Sequence, residues 1–313
     1  MIDTPQVQAY LPFRGKRAFK NPIPLEGAQA LKKQRYAKKL AKVGYNYYQA
    51  GLVAVGTAAG IIDFPVPPNS SMRKTGSYSI RKFYESGIRT YLPIVVAALR
   101  EGVDLFSGIR VLDFGCGVGR QLLHFTRRYP APSYSTCDID DTSTEFVARA
   151  YAGVETYTNS FDPPLKYADG EFDMVYSVSI LSHLNMEDQA LWLDELARVT
   201  HPGGYCMLTT EGLEAVPSLA ADFGADEAAL RRELREEGFI YRAYADWEDH
   251  VRAQDELRIA SLLVGVERSY GNTIVDPEFI RRQWPEHGFQ IVEILRGVID
   301  HRQDLVIAQR VGD

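Results

Sequence analysis

Long apolar runs are missing from this chain. No stretch of 18 consecutive apolar residues occurs in its 313 residues, so no transmembrane helix is expected. The segment 51–64 is apolar but short and broken by Gly56 and Gly60, which suits a buried packing segment. The N-terminus lacks a charged stretch followed by an apolar one, which argues against a secretion signal. Cysteine is scarce as well. Cys116, Cys137 and Cys206 are odd in number and widely spaced. Each falls on or beside an expected core strand, where a free thiol packs as a small apolar residue. They read as buried thiols of a reducing cytoplasm rather than as a disulfide framework or a metal site, so no metal is expected and the location is cytoplasmic. Excess positive charge is absent too. The net charge of −6 argues against general nucleic-acid binding.

What is present suits an ordinary globular protein. Hydrophobic residues make up 45 % and charged residues 24 %, enough for a core of normal size. The charge is uneven, with ten Lys/Arg against Asp3 and Glu26 in residues 1–50, so that this arm carries +8 and the remainder −14. Leu31, Tyr36, Leu40 and Val43 form an apolar stripe beside those lysines, as on a solvated amphipathic helix over 27–49. A platform for an anionic substrate, lipid or acidic partner is the alternative.

Apolar patterning places core strands near 109–114, 133–138, 154–158, 172–177 and 204–210, with helices between them near 118–129, 142–151 and 186–199. That alternation implies a parallel, doubly wound sheet. Residues 79–100 read as two helical segments separated near Gly87. Residues 212–284 are too long for a simple crossover and read as an insertion. It has helices over 225–237, 247–257 and 276–284 and a polar turn at 270–273. Residues 289–295 and 305–310 then close the sheet as an antiparallel pair. The expected organisation is an N-terminal arm and helical cap (1–104), a core (105–212), a cap-forming insertion (213–285) and the final strand pair (286–313). The cap should lie over the carboxyl ends of the strands, where open α/β sheets bind ligands.

The most informative residues are Val111-Leu-Asp-Phe-Gly-Cys-Gly-Val-Gly-Arg120. A buried strand runs into an acid and then a turn with glycines at 115, 117 and 119. Glycines there let a ligand approach the backbone at the start of a helix. Asp138 ends the second strand, 19 residues beyond Gly119, where an acid accepts hydrogen bonds from both hydroxyls of a ribose. A helix cap is the alternative for acids in this region, and Asp141 is the foremost capping candidate. A dinucleotide fingerprint needs glycine at position 120, but Arg120 stands there, and an ion pair with Asp140 or an anion contact is expected of it. No Gly-Lys-Ser/Thr follows, which excludes a Walker loop.

The Gly-x-Gly-x-Gly spacing led by Asp113 resembles the first motif of class I S-adenosylmethionine-dependent methyltransferases. Three further runs resemble the same family: Pro163-Pro-Leu through Phe172-Asp173, Met174-Val-Tyr-Ser-Val-Ser-Ile-Leu-Ser-His-Leu184, and Pro202-Gly-Gly-Tyr-Cys-Met-Leu-Thr-Thr-Glu211. The resemblance covers residues 105–212 and, as a final strand pair, 286–311. More narrowly, it is to a subgroup with Asn…Pro-Pro-Leu and Ser-Val-x-x-x-His-Leu runs. It implies a Rossmann-like α/β fold with a seven-stranded sheet and an antiparallel last strand. The implied cofactor is S-adenosyl-L-methionine. Asp113, Gly115, Gly117 and Gly119 would shape its methionine side. Asp138 would take the ribose, Ile139 would pack on the adenine, and Asn159, Ser160 and Phe161 would meet the ring edge. Ser177 and Val178 would face it from the fourth strand. The expected reaction is methylation of a small molecule, O-directed, on a sugar or another secondary metabolite. N-methylation, a macromolecular acceptor and a non-catalytic cofactor-binding module are the alternatives.

A hydroxyl acceptor needs a proton acceptor. His183, just after the fourth strand, is the leading candidate, with a packed structural histidine as the other possibility. Glu211 ends the fifth strand and is the second candidate, or else a helix cap. Tyr270, Asn272, His301 and Arg302 are expected in or beside the substrate lid. His124 reads as structural.

Overall fold

The structure is a computed structural model that describes residues 57, 62–77, 79–243 and 271–312. The chain divides into two compact units, Met1–Asn69 and Ser70–Asp313. The expected helices over 27–49 and 247–257, and Tyr270, lie outside the described residues.

The second unit alternates strands and helices. Strand β1 (Arg110–Phe114) is followed by helix α2 (Leu122–Arg128), β2 (Ser133–Asp138), α3 (Asp141–Ala150), β3 (Glu155–Thr158), β4 (Phe172–Ser177), α4 (Met186–Val199) and β5 (Thr200–Glu211), with α1 (Ile80–Arg100) ahead of them all. The insertion adds α5 (Val216–Phe223), α6 (Glu227–Glu237), β6 (Phe239–Ala243), β7 (Gly271–Val275) and α7 (Pro277–Gln283). The hairpin β8 (Phe289–Ile299) and β9 (Gln303–Arg310) ends the fold. Strands β1 to β5 pair in parallel in the order β3-β2-β1-β4-β5. Strand β9 lies antiparallel along β5, from Tyr205↔Gln309 to Glu211↔Gln303, and β8 flanks it. These are the seven expected strands with the antiparallel closure. Two more, β6 and β7, branch from the end of β5, where Glu211 pairs with Ile274.

Alternation along each strand sends side chains to opposite faces. Leu112, Phe114, Val175, Cys206, Leu208, Val306 and Ala308 form one core with Trp192, Leu193 and Leu196 of α4. Large apolar side chains buried this way are each worth about 1.5–3 kcal/mol. On the opposite face Tyr176 stacks on Phe125 of α2 at 4.6 Å, and Tyr91 of α1 meets Phe125 edge-on. The three cysteines are buried free thiols. Their packing raises each thiol above its ordinary range, chiefly by desolvation.

Three local expectations need correction. Residues 80–100 form one helix, not two. Gly87 does not break it, because the residue serves close packing: a Cβ there would lie 2.6 Å from the Arg120 carbonyl oxygen and 2.6 Å from His124 Nε2. His124 is buried as expected, and desolvation pushes its imidazole down to about 4. The N-cap of α3 is Asp140 rather than Asp141; its carboxylate accepts from Thr142 N at 3.1 Å and from Ser143 Oγ at 2.8 Å. Residues 271–273 of the expected polar turn are part of β7, whose residues are all buried. Its polar side chains misled the periodicity, since Thr273 satisfies its hydroxyl on the Leu184 carbonyl at 2.5 Å.

Candidate active site

Strand order reverses at β1, which has β2 on one side and β4 on the other. At such a switch point a crevice opens beyond the carboxyl ends of the strands. The glycine turn lies there. Gly115, Gly117 and Gly119 all have positive φ, at 75°, 51° and 73°, a region L-residues rarely adopt. The turn's amides are largely committed to protein acceptors. Gly115 N and Cys116 N donate to the Cys137 carbonyl, Gly119 N donates to the Cys116 carbonyl, and Gly117 N donates to Asp138 Oδ2 at 2.7 Å. A pyrophosphate needs several backbone N–H groups pointing at it. This turn has bent most of them inward, so it suits a ligand that touches glycine Cα surfaces rather than one held by amides.

Asp138 stands beside the turn, as its position at the end of β2 foretold. Its Oδ1 accepts from Asp140 N at 2.8 Å. The carboxylate is thereby oriented by two backbone amides at the edge of the crevice, half-buried. Ile139 follows, also half-buried. Asn159 sits next to it: its N–H donates to the Asp138 carbonyl and its Nδ2 donates to the Ser160 carbonyl at 2.7 Å. Asn159 Oδ1 is left buried without a partner. The following loop is held by α4, since Trp192 Nε1 donates to the Phe161 carbonyl at 3.1 Å and Glu195 Oε1 accepts from Leu165 N at 2.6 Å. Neither anchor was anticipated; both come from a helix more than 25 residues further on.

Asp113 is buried at the end of β1. Desolvation pushes its carboxyl up to about 7, although the hydroxyl of Tyr176 and the charge of Arg120 pull it down. Its Oδ2 has no partner in hydrogen-bond geometry, and neither has the nearby Ser177 Oγ at the end of β4. Val178 is half-buried. Ser179 takes a left-handed φ of 63°. It is held there by Thr209 Oγ1, which accepts from its N–H at 2.8 Å, and by Gln303, whose amide meets its hydroxyl. A bent residue of this kind needs its surroundings to hold it.

The remaining candidates gather at the end of β5. Glu211 is buried, and Arg302 Nε donates to its Oε1 at 2.7 Å. Its Oε2 has no partner, and desolvation raises its carboxyl against the pull of Arg302. On the other face of β5, Asp304 is buried with Oδ2 unpartnered, and burial pushes it up to about 6. His183 lies on a single 3-10 turn, Leu181–His183. Its Nδ1 is 2.9 Å from the Gly271 carbonyl of β7. Because a carbonyl only accepts, Nδ1 carries the proton, and a neutral ring then holds its lone pair on Nε2.

Of the expected lid residues the structure describes Asn272, His301 and Arg302. Asn272 is buried in β7, opposite Arg242 of β6. His301 is exposed in the β8–β9 turn with φ 56°. Arg302 pairs with Glu211. Arg120 makes no ion pair with Asp140: its Nη1 donates to the Thr75 carbonyl at 3.1 Å, while Asp140 is occupied with its own helix. Among the described residues no group of His, Cys, Asp and Glu is arranged to hold a metal ion, and no helix is long and apolar enough to cross a membrane.

A parallel sheet closed by an antiparallel strand, with an acid, a glycine turn and a second acid at its switch point, defines a Rossmann-like methyltransferase fold. Residues 111–204 match the model of a methyltransferase domain family. The chain is 27 % identical over 161 residues to O-methyltransferase resE of Aspergillus sclerotiorum, covering 47 % of this chain and 60 % of that protein. It is 34 % identical over 105 residues to the fatty-acid O-methyltransferase of Mycolicibacterium smegmatis, covering 33 % of this chain and 37 % of that protein. The structure of magnesium protoporphyrin IX methyltransferase from Synechocystis PCC 6803 overlaps 74 % of this chain and 87 % of its own, with a TM-score of 0.47 and 16 % identity. The chain thus spans less than two thirds of the length of these curated relatives. Residues 111–204 form a methyltransferase domain of the class I S-adenosylmethionine-dependent kind.

Proposed function

We propose that the protein transfers a methyl group from S-adenosylmethionine to a hydroxyl of a small-molecule acceptor. The observation that carries this reading is the row of buried oxygen atoms lacking partners at the carboxyl ends of the strands: Asp113 Oδ2, Asn159 Oδ1, Ser177 Oγ and Glu211 Oε2. Buried polar atoms left unpaired are costly, and four on one rim fit a polar ligand that pairs them. The donor set suits the cofactor. Asp113 matches a cationic group, Asp138 the two ribose hydroxyls, Asn159 an exocyclic amine, and the turn at 115–119 an uncharged surface. When bound, the cofactor supplies an electrophilic methyl on a sulfonium centre.

The chain's own work is then alignment and proton removal. Holding the acceptor oxygen in line with the methyl carbon accounts for much of the rate in such a displacement. His183 takes the hydroxyl proton at Nε2, with the ring oriented by the Gly271 carbonyl. Glu211, fixed by Arg302, orients the acceptor through Oε2. Strand β7 of the insertion borders the acceptor side, because it meets both Glu211 and His183. The names of the two relatives, both O-methyltransferases, support a hydroxyl or carboxyl oxygen as the accepting atom.

Calorimetric titration tests the cofactor half. S-adenosylhomocysteine is expected to bind and NAD is not; the reverse outcome rejects the proposal. Asp138→Ala is expected to weaken S-adenosylhomocysteine binding by about 1.5–3 kcal/mol, the range for hydrogen bonds to a charged group. An unchanged affinity removes Asp138 from the site.

A further inference from the structure

The insertion leaves the core at Gly212, and a buried acid sits against that point. Asp304, near the start of β9, is fully buried, and so is Thr210, its direct partner across β5. A Cβ at Gly212 would run into the Asp304 carboxylate, whose Cγ would be 2.8 Å away and Oδ2 nearer still. Gly212 does not have a left-handed backbone, since its φ is −109°; the close approach of Asp304 is what demands glycine. Oδ1 accepts from Gly297 N at 2.7 Å, where β8 is irregular against β9 and Gly297 takes φ 60°. One carboxyl therefore touches β5, β8 and the first residue of the link to the insertion.

The other oxygen of that carboxyl is unserved. Asp304 Oδ2 and Thr210 Oγ1 are both buried without a hydrogen-bond partner. Side chains directly opposite on antiparallel strands have Cβ atoms about 4.5–5.5 Å apart, so rotation brings a carboxyl and a hydroxyl in such a pair together. A carboxyl that keeps its proton donates to Thr210 Oγ1. An ionised one has exchanged water for the Gly297 amide and the apolar Cα of Gly212, which is costly. The charged groups around the junction do not offset that cost. Glu214, on the 3-10 turn Leu213–Ala215, pairs with Arg296 of β8 at 3.0 Å. Arg231 of α6 pairs with Glu227 and reaches only the Leu213 carbonyl. On the other face of β5, Glu211 is paired with Arg302, and Asp222 of α5 adds a second negative charge near it. Burial accordingly holds the Asp304 carboxyl at about 6.

We propose that Asp304 and Thr210 form a proton-dependent latch, which seats the root of the insertion on the β8–β9 hairpin while the carboxyl is neutral and loosens it when the proton leaves. The residue before the root is Glu211, so the latch acts beside the acceptor end of the crevice. It requires no particular ligand there.

Native-state hydrogen exchange reads the latch at the root. Ala215 N donates to the Gly212 carbonyl and Val216 N to the Leu213 carbonyl, so these two amides exchange when the root lifts. A carboxyl at about 6 when seated and about 3.9 when free favours the seated state at low pH. After correction for intrinsic exchange, the opening constant is expected to rise about tenfold per unit between about pH 4 and 6, roughly 100-fold in all, and then to level off. Amides of β1 and β2 serve as the reference, because Asp113 titrates there. Asp304→Asn is expected to hold the opening constant at its low-pH level throughout, since the amide donates at every pH. Thr210→Val is expected to flatten the rise by loosening the root at low pH. A wild-type opening constant that does not change with pH would overturn the proposal, and that result needs no variant to fold. The same rise persisting in Asp304→Asn would also overturn it, by placing the titration on Glu214 or Glu211. A rise that Thr210→Val leaves unchanged or steepens would mean that the hydroxyl plays no part or serves the ionised form, and the latch falls with it.

Discussion

The proposed cofactor end of the crevice and the proposed acceptor end are assembled at different distances along the chain. Gly117 and Asp138, which meet at 2.7 Å, are 21 residues apart, and Asn159 follows directly after β3. At the acceptor end, Glu211 and Arg302 are 91 residues apart, His183 and Gly271 are 88 apart, and Ser179 and Gln303 are 124 apart. A site built within one βαβ unit depends on turn geometry and strand pairing that neighbouring residues impose. A site built across an insertion depends on how distant elements dock. The first kind tolerates little change in sequence at each position, and the second can be rebuilt around a new ligand while the first stays as it is.

The largest expected effect tests the acceptor end. His183→Ala is expected to lower turnover by about 10²- to 10⁴-fold with little change in cofactor affinity, as for loss of a general base. Glu211→Gln is the companion measurement. If it slows turnover more than the histidine change, the base lies on β5, and the buried carboxyl of Glu211 takes that role. If neither slows turnover tenfold, alignment alone carries the reaction, and an amine or an already acidic acceptor replaces the neutral hydroxyl.

The next effect tests the cofactor end by pH. In the free protein the Asp113 carboxyl is pushed up to about 7, above its ordinary value of about 3.9. Its ionisation is therefore unfavourable to folding. The stability present at low pH is lost as pH rises from about 4 through about 7. Asp113→Asn is expected to make the free protein more stable than wild type at pH 8, by roughly 2–4 kcal/mol, with the difference closing toward pH 4. Binding runs the other way, because a cationic ligand needs the carboxylate. Wild-type affinity for S-adenosylhomocysteine is expected to fall about tenfold per unit as pH drops below 7, and the variant should lose both that slope and most of the affinity. Thermal unfolding and titration across pH 5–9 measure both; a flat wild-type affinity below pH 7 would separate Asp113 from the ligand.

The smallest effect probes the frame behind both ends. Gly87→Ala places a Cβ 2.6 Å from the Arg120 carbonyl oxygen and from His124 Nε2. Forcing α1 away from α2 should destabilise the protein by about 1–3 kcal/mol, as overpacking commonly does. Denaturant unfolding reads it directly. A neutral or stabilising result would show that the helices separate freely, and that Gly87 is ordinary helix backbone.

Much of the fold was legible because its signals are local. Strand and helix positions in residues 105–212 follow from apolar period and from turn residues that act within a few positions of themselves. Where the reading failed, a distant partner had changed the meaning of a residue. Gly87 looks like a helix breaker until α2 packs on it. Asn272 and Thr273 look like a turn until β6 and the Leu184 carbonyl satisfy them. Arg120 looks like a partner for Asp140 until Asp140 is seen capping α3.

By itself, the sequence determined the seven core strands, the glycine turn and the acid that follows it, and with them the kind of domain, because each depends on backbone geometry set by adjacent residues. Only the tertiary structure decided that Glu211 is paired with Arg302, that His183 meets β7, and that Arg120 donates to the Thr75 carbonyl. Burial is the physical reason. Whether a polar group has lost its water, and which partner replaces it, depends on everything packed around it, and that is not written at any one position in the chain.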